Sequence, residues 1–63
     1  SDAGVGAVLA LACVESAVLN VRINLGSIGN EELVENLSME CGKLLQFSKD
    51  RKEAIMKIVE AAL

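Results

Sequence analysis

The sequence predicts an all-α protein: two long antiparallel helices forming part of an oligomeric helical bundle. Three observations carry that reading. The 63 residues include no proline, so no ring interrupts a helix from within. Helical periodicity runs through two long segments that meet at one short glycine-bearing stretch, residues 26–30. Finally, 52% of the residues are hydrophobic although only one, Phe47, is aromatic. That is more apolar surface than a lone two-helix hairpin hides, and chains this small commonly lean on partners. The missing cover is expected from other copies or from further helices, so residues 1–63 form a single helical segment. A start on Ser-Asp without an initiator Met agrees with a piece of a longer polypeptide.

The first helix is expected over residues 1–25. Ser1 or Asp2 can cap it, because a short oxygen-bearing side chain satisfies a free N–H of the first turn, and Asp2 places negative charge at the positive dipole end. From Ala3 to Val14 there is no polar side chain. Gly4 and Gly6 each cost about 1 kcal/mol against alanine inside a helix, which predicts that they permit a close backbone approach. At 100° per residue, Asp2, Gly6, Leu9, Cys13, Ser16, Asn20 and Asn24 form one stripe. Gly4, Val8, Leu11, Glu15, Val18 and Arg22 form the opposite one. Apolar residues populate both stripes and the flanks, and a helix apolar on all sides is buried in an assembly or in a membrane. The charge-free run of about 12 residues is short of the roughly 20 that span a bilayer. Extending it brings in Glu15, Asn20, Arg22 and Asn24, each costly in lipid. Burial in protein, with no membrane partner, is the expectation.

Gly26 is placed to close this helix in a left-handed conformation. Asn30 is a good N-cap for the next, with Glu31 and Glu32 at its positive end. A connector of about four or five residues turns the second helix back along the first. Two glycines around Ile28 leave open a loop that touches a ligand.

From Glu31 onward, Leu33, Leu37, Cys41, Leu44, Ser48, Arg51, Ile55, Ile58, Val59 and Ala62 share one sector of the wheel. Glu35, Gln46, Lys49, Glu53, Lys57 and Glu60 lie opposite. This is an amphipathic helix with one apolar stripe. The phase survives across residues 47–51, which predicts one helix of about 33 residues; the alternative breaks it at residues 48–50 with Asp50 and Glu53 as a capping pair. Gly42, beside the stripe, is expected to mark a helix crossing. Glu53 and Lys57 form an i,i+4 pair. The second helix reads as scaffold.

Composition excludes several chemistries. Net charge is −3 with a pI near 4.7, and no basic cluster is interleaved with aromatics, so nucleic acid is not an expected partner. Histidine is absent, which removes a zinc site or a histidine-assisted nucleophile from within these residues. Cys13 and Cys41 read as buried small hydrophobes. The apolar stretch lacks the basic lead of a signal peptide, and a cytoplasmic, reducing setting is the default. The glycines of Gly-Val-Gly sit inside a helix rather than after a strand, which rules out a phosphate loop.

What remains is the polar set within the first helix: Asp2, Glu15, Ser16, Asn20, Arg22 and Asn24. A buried polar group needs a partner or costs a few kcal/mol. One reading is helix-to-helix hydrogen bonding with a Glu15–Arg22 or intersubunit ion pair; the other is a pocket lining. Asp2 and Asn20 share a bearing but stand about 27 Å apart along the axis, so one pocket cannot use both from one copy. Asn20 and Asn24, one turn apart, can serve together.

The segments Ser-Asp-Ala-Gly-Val-Gly-Ala at residues 1–7 and Glu-Ser-Ala-Val-Leu-Asn-Val-Arg-Ile-Asn-Leu-Gly-Ser-Ile at residues 15–28 carry a resemblance. Together they resemble the C-terminal portion of the cyclodeaminase family, which includes methenyltetrahydrofolate cyclohydrolases and the cyclodeaminase domain of formimidoyltransferase-cyclodeaminase. The run Asn-Val-Arg-Ile-Asn-Leu at residues 20–25 is its most specific part, and it extends to about Glu32. The resemblance implies an oligomeric all-helical domain of which these residues are roughly the last third. It also implies hydrolysis of methenyltetrahydrofolate or cyclising deamination of formiminotetrahydrofolate, with the tetrahydrofolate derivative as substrate and no covalently bound cofactor. Within that chemistry Asp2 is the acid/base candidate. Asn20 and Asn24 are candidates for hydrogen bonding to the pterin or an amide, and Arg22 for pairing with the glutamate tail. The fragment alone is expected to be inactive. The alternative is a non-catalytic hairpin that self-associates into a four-helix bundle.

Overall fold

The computed structural model describes residues 2–63 and shows two helices. Helix α1 spans Asp2–Leu25 and helix α2 spans Glu31–Ala62. They pack antiparallel into a rod of 50 × 15 × 8 Å, with no strand among the described residues. The 32 residues of α2 set that length, at about 1.5 Å each. Ser1, the alternative cap, lies outside the described residues; Asp2 occupies the first turn of α1.

The seam between the helices is a repeat of three and four on α1. Gly4, Ala7, Val18 and Leu25 are buried, with Leu11 and Val14 half-buried between them. This average spacing of 3.5 residues keeps one line of α1 against its neighbour. Val18, at 4% exposure, and Leu25, at 7%, are the large apolar side chains this seam buries most fully. Gly4 faces Met56 and Val59, where an added Cβ would stand 3.5 Å from Val59 Cγ1 and 3.6 Å from Met56 Sδ, which is ordinary contact. The close approach expected of Gly6 and the crossing expected at Gly42 are not found, since a Cβ at either would meet nothing within 4 Å.

The matching face of α2 is rotated from its expected centre. Leu37, Cys41, Ser48, Ile55 and Val59 are half-buried, joined by Val34, Leu45, Lys52 and Met56, whereas Leu33, Leu44, Arg51, Ile58 and Ala62 are exposed. The apolar sector of α2 is wider than one neighbour covers, so α1 takes one edge of it and leaves the other bare. The same shortage holds for α1, whose Val5, Leu9, Leu19 and Ile23 stay open to solvent. By length and composition alone α1 would also cross a membrane, and only 17% of its most apolar window is buried in the hairpin.

Helix α2 is continuous, as its phase predicts. Across the doubtful stretch, Gln46 Nε2 donates to Asp50 Oδ1 at 2.9 Å and the Arg51 guanidinium lies 5.6 Å from the centroid of Phe47. Asp50 thereby serves a residue one turn earlier and does not cap a new helix. The expected Glu53–Lys57 pair forms at 3.6 Å, and Glu40–Lys43 at 3.7 Å; both are exposed and contribute little.

The turn departs from expectation at its first residue. No described glycine has positive φ, so Gly26 does not close α1 in a left-handed conformation. Ser27 N–H donates to Asn24 O and Ile28 N–H to Leu25 O, both at 3.1 Å, and these i to i+3 bonds tighten the end instead. Asn30 caps α2 as predicted. Its φ of −117° and ψ of 103° are extended, and its Oδ1 accepts the Leu33 N–H at 3.1 Å. Asn30→Ala is expected to lower stability by about 1 kcal/mol, read as a lower urea midpoint with an unchanged slope.

Candidate functional site

Asp2 is exposed in the first turn of α1. Asn20 and Asn24 are exposed near the other end and are brought together, as their spacing predicts. Asn24 Nδ2 donates to the Asn20 backbone O at 2.7 Å and reaches the Asn20 Oδ1 at 3.4 Å. The bond fixes the Asn24 side chain against its own helix. It leaves Asn24 Oδ1 as an acceptor and Asn20 Nδ2 as a donor, a complementary pair of the kind an amide or a pterin edge accepts.

Arg22 lies in the last turn of α1 and is exposed. It sits about 160° around the helix from Asn20, so the two face different directions. The helix C-terminus beside it suits a cation. The expected Glu15–Arg22 ion pair does not form; neither residue has an ion-pair partner among the described residues. The expectation of buried polar groups in α1 is likewise corrected, because no described polar or charged side chain is buried. One neighbouring helix shields one line of α1, and the polar residues lie off that line or at its open end.

The hairpin therefore brings together only two of the four candidate residues. It joins Asn20 to Asn24, holds Arg22 on another face, and leaves Asp2 about 27 Å away along the same helix. Cys13 is exposed and Cys41 half-buried, both as free thiols, so Cys13 is not the buried small hydrophobe expected. No group of three metal-ligating side chains occurs among the described residues.

Helix α2, scaffold by its periodicity, carries one feature that periodicity does not reveal. A groove of about 200 Å³ runs between the helices, bounded on α1 by Ala10 and Val14 and on α2 by Phe47, Arg51 and Lys52. The alanines make room, and the stacked Arg51–Phe47 pair places a cation at an apolar rim. The phenylalanine–arginine spacing of four residues was the available signal. A second depression, of about 520 Å³, lies at the turn between Leu25, Ile28 and Val34, with Glu31 and Glu35 beside it.

Residues 1–43 match the family model of formiminotransferase-cyclodeaminase. The matched span covers all of α1, the turn and the first part of α2, and it includes Asp2, Asn20, Arg22 and Asn24. No curated protein and no solved structure matches the chain.

Proposed function

Because this chain belongs to the formiminotransferase-cyclodeaminase family, we propose that it is a segment of a folate one-carbon enzyme. The reaction is hydrolysis of methenyltetrahydrofolate or cyclising deamination of formiminotetrahydrofolate. The observation that carries this reading is the family match through the whole of α1, the helix on which every candidate residue stands. The working protein is an oligomer or a longer chain whose further helices cover α1, of which residues 1–63 are the C-terminal third. Its partner is a small folate in the cytoplasm, with neither nucleic acid nor a bilayer involved.

The chemistry asks for few groups. In methenyltetrahydrofolate a cation is shared over N5, one carbon and N10. Water adds to that carbon as a carboxylate accepts one of its protons; one C–N bond then breaks as the leaving nitrogen takes up a proton and the hydroxyl gives up its own, which leaves a formyl group on the other nitrogen. In the deaminating direction N10 attacks the formimino carbon, and ammonia leaves after receiving a proton. Asp2 is the acid/base in either case. Asn20 and Asn24 hold the pterin or its amide through the donor and acceptor left free by their mutual bond. Arg22 meets the glutamate carboxylate as a two-pronged donor. Asp2 and the asparagine pair lie too far apart to act on one substrate from one hairpin. The site is therefore completed by another copy or by further helices.

The test follows the near-ultraviolet absorbance of methenyltetrahydrofolate with the intact polypeptide that carries these residues. Loss of absorbance faster than in buffer is expected. The 63-residue chain alone is expected to match buffer, since it presents only half a site. If the intact polypeptide also matches buffer, and formiminotetrahydrofolate releases no ammonia, the enzymatic reading fails and a non-catalytic helical bundle takes its place.

A further inference from the structure

Beside its seam, α1 carries a smooth line of small residues. Ala3, Ala10, Ala17 and Asn24 recur at seven-residue steps. On a helix whose seam repeats every 3.5 residues, they share one bearing. Ala10 borders the groove of about 200 Å³ whose other wall is Phe47, Ser48, Arg51 and Lys52. The alanine line therefore joins that groove to the Asn20–Asn24 pair.

The far wall of the groove carries charge that nothing answers. Neither Arg51 nor Lys52 has an ion-pair partner among the described residues, although the chain as a whole carries a net charge of −3. The Arg51 guanidinium lies over Phe47, so it is drawn back along α2 toward the turn, the direction in which the asparagines lie. Phe47 and Val14 line the same groove, which sets the guanidinium about level with Val14. From Val14 to Asn24 is about 15 Å along α1. From the outer edge of a pterin to the α-carboxylate of its glutamate is also roughly 15 Å at standard bond lengths. Arg22 does not offer that end to the same substrate, because it sits about 160° around α1 from Asn20.

We propose that Arg51 and Lys52 bind the glutamate carboxylates of the folate whose pterin Asn20 and Asn24 hold, with the tail laid along the alanine line. Arg51, preset by its stack on Phe47, meets one carboxylate with two parallel N–H donors. Lys52, half-buried in the same groove, serves the other as a point charge. Two cations without partners thus match a tail with two carboxylates. Both residues lie past residue 43, where the family match ends, so only the packing of α2 on α1 assigns them. The assignment rests on the folate reading and adds to it a preference for the anionic end of the substrate.

The test uses the intact polypeptide and whichever of methenyltetrahydrofolate and formiminotetrahydrofolate it turns over, beside the same compound with a methylamide in place of glutamate. The unaltered protein is expected to favour the glutamate form by about tenfold or more in kcat/KM. Arg51→Gln should bring the two compounds level by raising KM for the glutamate form alone. Arg51→Lys should keep part of the difference, since a point charge replaces a planar fork. Equal use of both compounds by the unaltered protein overturns the assignment and leaves the folate reading in place. So does an Arg51→Gln variant that slows both compounds alike or melts earlier, because Arg51 is then a packing residue. A preference lost in Arg22→Gln and kept in Arg51→Gln overturns it as well. No turnover of either natural compound overturns the folate reading, and the assignment falls with it.

Discussion

Replacing Val18 by aspartate is expected to separate the two helices. Val18 is 4% exposed and lies in the middle of the α1 seam. No described polar side chain is buried with it, so a carboxylate there has neither a cation nor a hydrogen-bond donor at hand. Burying it unpaired costs several kcal/mol. The whole stability of a domain this size is roughly 3–9 kcal/mol at the usual value per residue, so the substitution consumes most or all of it. The expected observation is loss of the cooperative melt by circular dichroism. Val18→Ala removes two methyl groups without adding charge and is expected to cost about 1–3 kcal/mol, leaving a weakened but cooperative transition. Ile58→Asp, at a position 71% exposed, should melt like the parent. If Val18→Asp melts unchanged as well, the packing of α1 on α2 is wrong.

The second large effect concerns activity. In the intact polypeptide, Asp2→Asn is expected to lower turnover by about 100- to 10,000-fold, the range by which a positioned acid or base accelerates proton transfer. The substitution keeps the size of the side chain and removes its ability to take a proton. Because Asp2 is exposed in the first turn, the melting temperature should hardly move. Asn20→Ala and Asn24→Ala should instead raise KM, the effect expected of residues proposed to hold substrate without exchanging a proton with it. An Asp2→Asn variant with undiminished turnover removes Asp2 from the chemistry and leaves it as a helix-terminal charge.

The elements themselves were legible in the sequence because their signals are local. The lack of proline, the unbroken phase through residues 47–51 and the Asn30 cap each act within a few residues, and all three hold in the structure. The face each helix presents was less legible. Periodicity placed Leu33, Leu44 and Ile58 in the same sector as Leu37 and Ile55, but packing is decided by a neighbour that covers only part of that sector. Gly26 shows another limit. A glycine after a helix is compatible with a left-handed closure, yet i to i+3 hydrogen bonds end α1 without one. For the site, spacing correctly paired Asn20 with Asn24, because one helical turn is enough to determine it. Spacing could not say what stands opposite Asp2, since that depends on whatever covers α1. Arg51 and Phe47 went unrecognised because their groove exists only once alanines of α1 lie opposite them.

Antiparallel packing of α1 on α2 puts Gly4 beside Met56 and Val59, so the beginning and the end of the described rod share one pole. Polypeptide continued from either end would start there, and the pole at Ser27 carries no such tether. A neighbour joined covalently is thus anchored on the Asp2 side. Anything that reaches the Asn20–Asn24 side must come along the rod or arrive as a separate molecule.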